Sequence, residues 1–503
     1  RPTDAVASFT RAVELRPGHV EALSNRAYTA WTDLGLYEPA MADLKAALKA
    51  RPDHPYLAGE LLHLKMQGAD WRDYETLKAG IVDAVRAGKR AIRPFAYQAV
   101  SDSPADIRAC SEIFAADQFP AVASPAPATR PDSGKLRVGY VSADFREQAT
   151  AYLMAGLYEQ HDKDKFEVIA FDNGGSDGSP MRARLEKAIG TFVDISDMSD
   201  DDAAAAVRTG KIDILVNLNG YFGKPRMGIF ARRPAPIQVN YLGFPATLGA
   251  PYIDYIIADS IVIPDGEERF YRESVVRLPG SYQANDDKRA IAGDTSRAAK
   301  GLPDGAFVFC NFNQGYKLTP VIFDAWARIL NQVPGSVLWL LDSHDAFRAN
   351  LAREAEARGI SRDRLVFAAA VDLPQHLARL KLADLFLDGL PYNAHTTASD
   401  ALWAGVPLLT CRGTAFAGRV AASLLTAAGV PELITESLAE YEMRAVALAG
   451  DAGALKALRE KIATNRTSCA LFDTRRTTRH IEAAYRGMWE RRDAGPSGFS
   501  VGE

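Results

Sequence analysis

Between residues 136 and 411 the chain alternates short apolar runs with helical stretches, a pattern that few folds accommodate. The runs LRVGYVSADF (136–145), FEVIAFDNG (166–174), IDILVNLNGY (212–221) and YIDYIIADSIVI (252–263) are apolar at successive positions rather than at alternate ones. A strand of that composition is covered on both faces, the condition of a parallel sheet with helices above and below it. A second series follows: AFVFCNFN (306–313), SVLWLLD (336–342), RLVFAA (364–369), LADLFLDG (382–389) and VPLLTC (406–411). Helical patterns at 320–331, 346–358, 373–381 and 397–404 separate these runs. Two doubly wound α/β lobes in series place a cleft between them, with ligands expected at the carboxyl ends of the strands.

The first 117 residues read differently. AVASFTRAVELRPGH (5–19) aligns with AMADLKAALKARPDH (40–54), Ala12 on Ala47 and Pro17 on Pro52. The offset is close to the ~34-residue period of tetratricopeptide-like helical repeats. Small residues at Ala12 and Ala47 let paired helices approach closely, and Pro17 and Pro52 end a helix. Two repeats cannot bury a continuous face, so the cover is expected from further repeats or from docking onto the next domain. The chain opens at Arg1 inside such a repeat, as a piece of a longer protein would. The pattern stays helical to about residue 114, and QFPAVASPAPATRPDSGK (118–135) reads as a stiff linker. The expected organisation is therefore helical repeats and connecting helices over 1–117, a linker over 118–135, and a first Rossmann-like lobe over 136–295. A second lobe follows over 296–492, closed by an amphipathic helix, with a loose tail over 493–503.

Charge narrows the function. Fifty-nine Lys and Arg against 63 Asp and Glu leave a net charge of −4, which argues against a general nucleic-acid binder but leaves room for a local phosphate pocket. Cys110, Cys310, Cys411 and Cys469 are scattered without metal-ligand spacing, which fits a reducing compartment. No apolar run approaches the roughly 18 residues that span a bilayer, and no leader pattern opens the chain, so a cytoplasmic, membrane-free protein is expected. There is no GxGxxG or GxxxxGKS, and SDMSDDD (196–202) reads as a solvated acidic turn rather than as metal ligands.

Three segments carry candidate chemistry. In DLFLDGLPYNAHTTASDALWAGVP (384–407), Thr396 or Thr397 is the expected N-cap of a helix whose first amides suit a phosphate. His395 stands just before that turn, and Asp400, a turn later, is placed to accept from a ribose diol. In CNFNQGYKLTP (310–320), Gln314 and Lys317 lie in a polar loop after a strand, where Lys317 could neutralise a diphosphate leaving group. In DLPQHLARLKLAD (372–384), His376 and Arg379 share one helical face and could hold a base. The loop SADFREQATAYLM (142–154) faces the cleft from the first lobe, and RRPAPIQVNYLGFPATLGAP (232–251) reads as a loop lining an acceptor pocket.

Taken together, these blocks resemble the tetratricopeptide-bearing protein O-GlcNAc transferases. RVGYVSADF, DILVNLNGY, RRPAPIQVNYLGFPAT, FNQGYK, VPGSVLWLL, HTTASDALWAGVPLLT and RVAASLL (419–425) occur in the family's order, from the repeats to YRGMWE (485–490). The resemblance implies a GT-B arrangement of two Rossmann-like lobes, UDP-GlcNAc as donor, a protein Ser/Thr hydroxyl as acceptor, and inverting transfer without a metal. It implies that Lys317 neutralises phosphate beside Gln314, that Thr396 and Thr397 bind phosphate beside His395, and that Asp400 holds the ribose. His376 and Arg379 match the histidine and arginine near the uracil. Two departures stand out. Gln148 occupies the position of the family's first-loop histidine, with Ala149 for the following proline, and an amide cannot act as a general base. In GFPATLG (243–249), Ala246 and Leu248 replace family residues and are expected to reshape the sugar pocket. The alternatives are a related transferase using another sugar, or a repeat scaffold that binds UDP through inactive lobes. His395 speaks against fucosyl relatives, which usually lack it, and the intact nucleotide-facing set speaks against the scaffold.

Overall fold

The computed structural model describes residues 1–127 and 134–502. Residues 128–133 of the expected linker lie outside that description.

The apolar runs form two parallel sheets. In the first lobe β1 (Leu136–Ser142), β2 (Phe166–Asp172), β3 (Thr191–Asp194), β4 (Ile214–Asn217), β5 (Ile237–Asn240), β6 (Tyr255–Asp259) and β7 (Ser274–Leu278) lie in the order β3-β2-β1-β4-β5-β6-β7. In the second, β8 (Val308–Asn311), β9 (Val337–Leu341), β10 (Leu365–Ala368), β11 (Leu385–Leu387), β12 (Leu408–Cys411) and β13 (Ile434–Thr435) lie in the order β10-β9-β8-β11-β12-β13. All pairings are parallel; Val138 faces Val168 on β2 and Ile214 on β4, and Phe309 faces Leu338 and Leu385. Every residue of β4, β5 and β6 is buried, as continuous apolar runs require. In both sheets the strand order reverses beside the first strand, between β1 and β4 and between β8 and β11. Loops diverge there, and in such sheets that crevice takes the ligand.

Two expectations need correction, and two strands are added. The segment at 232–251 is not all loop, because β5 runs through it as a central strand of four buried residues. Its flanking Pro, Gly and Arg residues mask so short a run. β3 and β7 are likewise too short or too mixed to be read from pattern. The loose tail is in part a strand: β14 (Phe499–Ser500) pairs with Val276 and Arg277 of β7. Gly498 permits this, since a Cβ there would stand 2.9 Å from the Val275 carbonyl oxygen, and Arg491 covers the Phe499 ring at 4.3 Å.

The helical segment comprises α1 (Pro2–Leu15), α2 (Val20–Thr32), α3 (Tyr37–Ala50), α4 (Leu57–Gln67), α5 (Tyr74–Arg86), α6 (Pro94–Tyr97) and α7 (Pro104–Gln118). The sequence repeat is a backbone repeat: α1 ends at Arg16 (φ −144°, ψ 92°) and α3 at Arg51 (φ −146°, ψ 90°). Each precedes its proline, whose ring drives the preceding residue into extended backbone. Part of the missing cover comes from the second lobe. The His344 ring stacks on Tyr37 at 4.4 Å and meets Trp31 edge-on at 5.4 Å, while Asn350 Nδ2 donates to the Gly68 carbonyl over 2.8 Å. One cluster of buried apolar side chains runs from Tyr56 and Leu62 through both lobes to Met488, while Leu57, Leu61 and Leu64 of α4 pack with the repeat helices. The final helix, Thr474–Glu490, returns to the first lobe, where Glu482 meets His161 at 3.0 Å and Tyr485 meets Tyr140 at 3.0 Å. Among the described residues no helix is long and apolar enough to cross a membrane.

Candidate active site between the lobes

A cavity of about 220 Å³ opens where the reversal points of the two sheets face each other. Its walls are the loops after β1, β4, β5 and β7 of one lobe and after β8 and β11 of the other, with Phe95 of α6 at the edge. Six expected residues line it: Gln148, Gln314, Lys317, His395, Thr396 and Thr397. His376, Arg379 and Asp400 do not.

Lys317 closes a single 3-10 turn, Gly315–Lys317, that follows β8. The turn is pressed against the helical segment so closely that a Cβ on Gly315 would lie 2.5 Å from the Gln67 carbonyl oxygen. Lys317 Nζ donates to the Asn393 carbonyl over 2.9 Å and stands 4.0 Å from the centre of the Tyr392 ring. Both partners offer partial negative charge but no formal charge, and among the described residues no carboxylate pairs with this ammonium. Burial pushes its pKa down to about 7, against the weaker pull of Asp388. Asp388 is occupied in folding the loop, accepting from the amides of Gly389 and Ala394 and from the Thr410 hydroxyl.

The Thr396–Trp403 helix aims its first turn into the cavity. The cap differs from expectation: His395 is the N-cap, and its side chain bonds no first-turn amide. Other helices of the two lobes receive side-chain caps from Ser179, Ser199, Thr319 and Asp372. Among the described residues the Thr396 and Thr397 amides meet no protein acceptor, so the positive end of this helix is open. His395 Nε2 lies 3.0 Å from the Ala417 carbonyl, which can only accept. Nε2 therefore carries the ring proton and Nδ1 keeps a lone pair. Burial, with Lys317 nearby, holds this imidazole neutral far below its usual titration range.

Gln148 is a helix cap. Its Oε1 accepts from the Thr150 amide over 2.7 Å at the start of α8 (Ala149–Gln160), which leaves the Nε2 donors for the cavity. Gln148→Ala should lower stability by about 1 kcal/mol through the lost cap, read from a denaturant midpoint, and reduce turnover less than about tenfold. A larger loss of turnover would give the amide a direct part in the chemistry.

His376 and Arg379 form a layer behind the wall. Arg379 Nε donates to His376 Nδ1 over 3.1 Å, and both pack on Phe312, a cavity residue. Burial and the adjacent guanidinium hold His376 neutral, its pKa near 3. Asp400 departs further from expectation: it is 5% exposed and accepts from Arg289 Nη1 over 3.0 Å. Arg289 in turn lies between the Trp403 and Phe472 rings, at 4.9 and 5.5 Å. In GFPATLG the cavity is met by Gly243 and, just before it, Leu242, not by Ala246 or Leu248. Those two are buried behind the loop, where the Leu248 amide donates to Glu273. Leu242 holds φ +71°, backbone that an aliphatic side chain rarely adopts, at the cavity wall.

Sequence reasoning passed over Asn313 and Gln283. Asn313 Oδ1 accepts from the Thr397 hydroxyl over 2.6 Å, and Gln283 Nε2 donates to Ser399 Oγ over 2.6 Å. Asn313 sits inside the FNQGYK block but carries no charge to draw notice. Gln283 follows β7, whose strand was not read.

The model of glycosyl transferase family 41 matches residues 120–293 and 290–481. A probable UDP-N-acetylglucosamine–peptide N-acetylglucosaminyltransferase, SEC of Arabidopsis thaliana, is 40% identical over 73% of this chain and 38% of its own length. The Caenorhabditis elegans UDP-N-acetylglucosamine–peptide N-acetylglucosaminyltransferase is 30% identical over 72% of this chain and 41% of its own. The chain thus spans about two fifths of these curated relatives. A solved O-GlcNAc transferase mutant from Thermobaculum terrenum superposes with a TM-score of 0.81 at 30% identity, covering 98% of this chain and 95% of that one. With both Rossmann-like lobes matched by the family model and 98% of the chain superposing on a solved relative, this protein belongs to glycosyl transferase family 41.

Proposed function

We propose that this chain transfers N-acetylglucosamine from UDP-GlcNAc to Ser or Thr hydroxyls of a protein, with inversion at the anomeric carbon and without a metal ion. The observation that carries the proposal is the convergence of Lys317 and the open Thr396–Trp403 helix end on one cavity between two Rossmann-like lobes. A diphosphate has two needs there, a cation and amide donors, and both are supplied. The names of the curated relatives and of the solved structure point to the same donor and acceptor classes.

In this reading Lys317, Thr396 and Thr397 hold the diphosphate and Gln314 borders it. His376 and Arg379 stiffen the Phe312 wall on the nucleoside side, and His395 presents a neutral Nδ1 lone pair. An acceptor hydroxyl attacks the anomeric carbon from the face opposite UDP. The bond from that carbon to the diphosphate oxygen breaks, its electron pair leaves with UDP, and the hydroxyl proton is released to solvent. Among the described residues no carboxylate lines the cavity, and Gln148 cannot take a proton, so stabilising the leaving diphosphate carries most of the acceleration.

The test offers UDP-GlcNAc, UDP-glucose, UDP-galactose and GDP-fucose with a lysate of the source organism, read by intact-protein mass. One N-acetylhexosamine added from UDP-GlcNAc alone supports the proposal. Transfer from another donor moves the function to that sugar, and UDP binding without turnover on any donor overturns the enzymatic reading. Chelation is a separate check. Excess EDTA should leave the transfer rate within about twofold, because Lys317 and the helix amides occupy the role a divalent ion would play. A collapse restored by Mg²⁺ or Mn²⁺ would refute the metal-free part.

A further inference from the structure

Asn313 holds an unspent donor at the open helix end. The residue is 5% exposed, lines the cavity, and its backbone is fixed by its own amide donating to Asn311 Oδ1 over 3.0 Å. Oδ1 accepts the hydrogen bond of the Thr397 hydroxyl, while among the described residues Nδ2 is buried with no partner. Buried amide donors are almost always satisfied, so an orphan facing a cavity indicates a state in which it is used. With its O–H directed at Asn313, the Thr397 hydroxyl has none to offer an anion. A half-turn of the carboxamide about its last torsion exchanges the roles. Nδ2 then donates to Thr397 Oγ1, and the freed hydroxyl proton points at whatever occupies the helix end. Both arrangements fit the same heavy-atom positions, since the oxygen and nitrogen of an amide are nearly isosteric.

Resting on the donor reading above, we infer that Asn313 is a positioning residue that switches Thr397 from facing the protein to donating to the diphosphate of the bound donor. The orphaned Nδ2 is the donor released for that purpose, and an anion at the helix end is what makes the exchange favourable. Asp at 313 can only accept: it keeps the hydroxyl turned away and adds a negative charge beside the phosphate. Ala leaves the hydroxyl free but unoriented.

Calorimetric titration of wild type, Asn313→Asp, Asn313→Ala and Thr397→Val with UDP, uridine and inorganic pyrophosphate tests this. Asn313→Asp should weaken UDP and pyrophosphate about 10- to 100-fold, Asn313→Ala by less, and uridine should change less than about twofold in both. In the Thr397→Val background Asn313→Ala should add no further loss. A structural role predicts the reverse order, with the isosteric Asp milder than Ala and uridine weakened along with UDP; that result overturns the inference. Unchanged UDP affinity in both variants overturns it while leaving the donor reading intact. Pyrophosphate binding that is sensitive to Asn313, in a protein indifferent to uridine and UDP, would uphold the anion switch and sink the donor reading. A wild type that binds none of the three removes both.

Discussion

Lys317→Met is expected to lower kcat/KM for sugar transfer by about a thousandfold, far beyond the effect of Gln148→Ala. Removing one group that stabilises developing charge typically costs a factor of 10² to 10³, and here a full positive charge goes. The Lys317 ammonium is held by a carbonyl and a ring face, neither of which can neutralise it, so its electrostatic capacity is kept for a ligand. Met keeps most of the volume and none of the charge, which separates electrostatics from packing. The pH dependence follows from the same burial. With a pKa of about 7 in the empty site, Lys317 is protonated below that value and loses its charge as pH rises through it. A diphosphate binds the protonated form and raises its pKa. UDP affinity should therefore be full below pH 7 and fall toward tenfold per pH unit above it, until the pKa of the complex is passed. Lys317→Met should bind weakly with no such slope. Equal slopes in both proteins would assign the titration to another group, and losses comparable to Gln148→Ala would contradict leaving-group stabilisation as the dominant factor.

The fold was legible because doubly covered strands leave runs such as IDILVNL and SVLWLL that no surface element tolerates. Strands of four residues between prolines, arginines and glycines leave no such trace; β5 was lost for that reason, and β14 because a single phenylalanine, Phe499, is its only apolar anchor in the pairing. At the site, charge and sequence order exposed Lys317 and the HTT turn. The cap could not be read, because His395 and the two threonines are all able to occupy that position and only backbone geometry tells them apart. Asn313 and Gln283 stayed hidden because a neutral amide is informative only once its partners are known. Asp400 shows the opposite failure: a residue matched by position to a ligand role is bonded, in this structure, to an arginine more than a hundred residues away.

That pairing leads to the largest expected effect on stability. Arg289→Met should destabilise the protein by about 3–5 kcal/mol, because it strands a carboxylate that is 5% exposed and, among the described residues, has no other charged partner. Burial already raises Asp400 to about 6 against the guanidinium's pull, and without Arg289 it rises further. A carboxyl whose pKa is raised on folding binds its proton more tightly in the folded state than in the unfolded one. Its unfavourable contribution is absent at pH below its unfolded value near 4, and grows as pH rises toward the folded value. The Arg289→Met deficit in urea midpoint should therefore be largest at pH 8 and shrink toward pH 5. Arg289→Met with Asp400→Leu should recover most of the loss, because it removes the stranded charge rather than restoring a partner. The double variant also decides what Asp400 does for a ligand. The helix it belongs to carries Thr396 and Thr397 one turn before it, so a purely structural Asp400 predicts a stable double variant with uridine affinity near wild type. Recovered stability with uridine affinity lost would assign Asp400 to the ribose, with Arg289 as the partner it leaves on binding. A deficit independent of pH, or one as large in Asp400→Asn as in Arg289→Met, would refute the stranded-charge account.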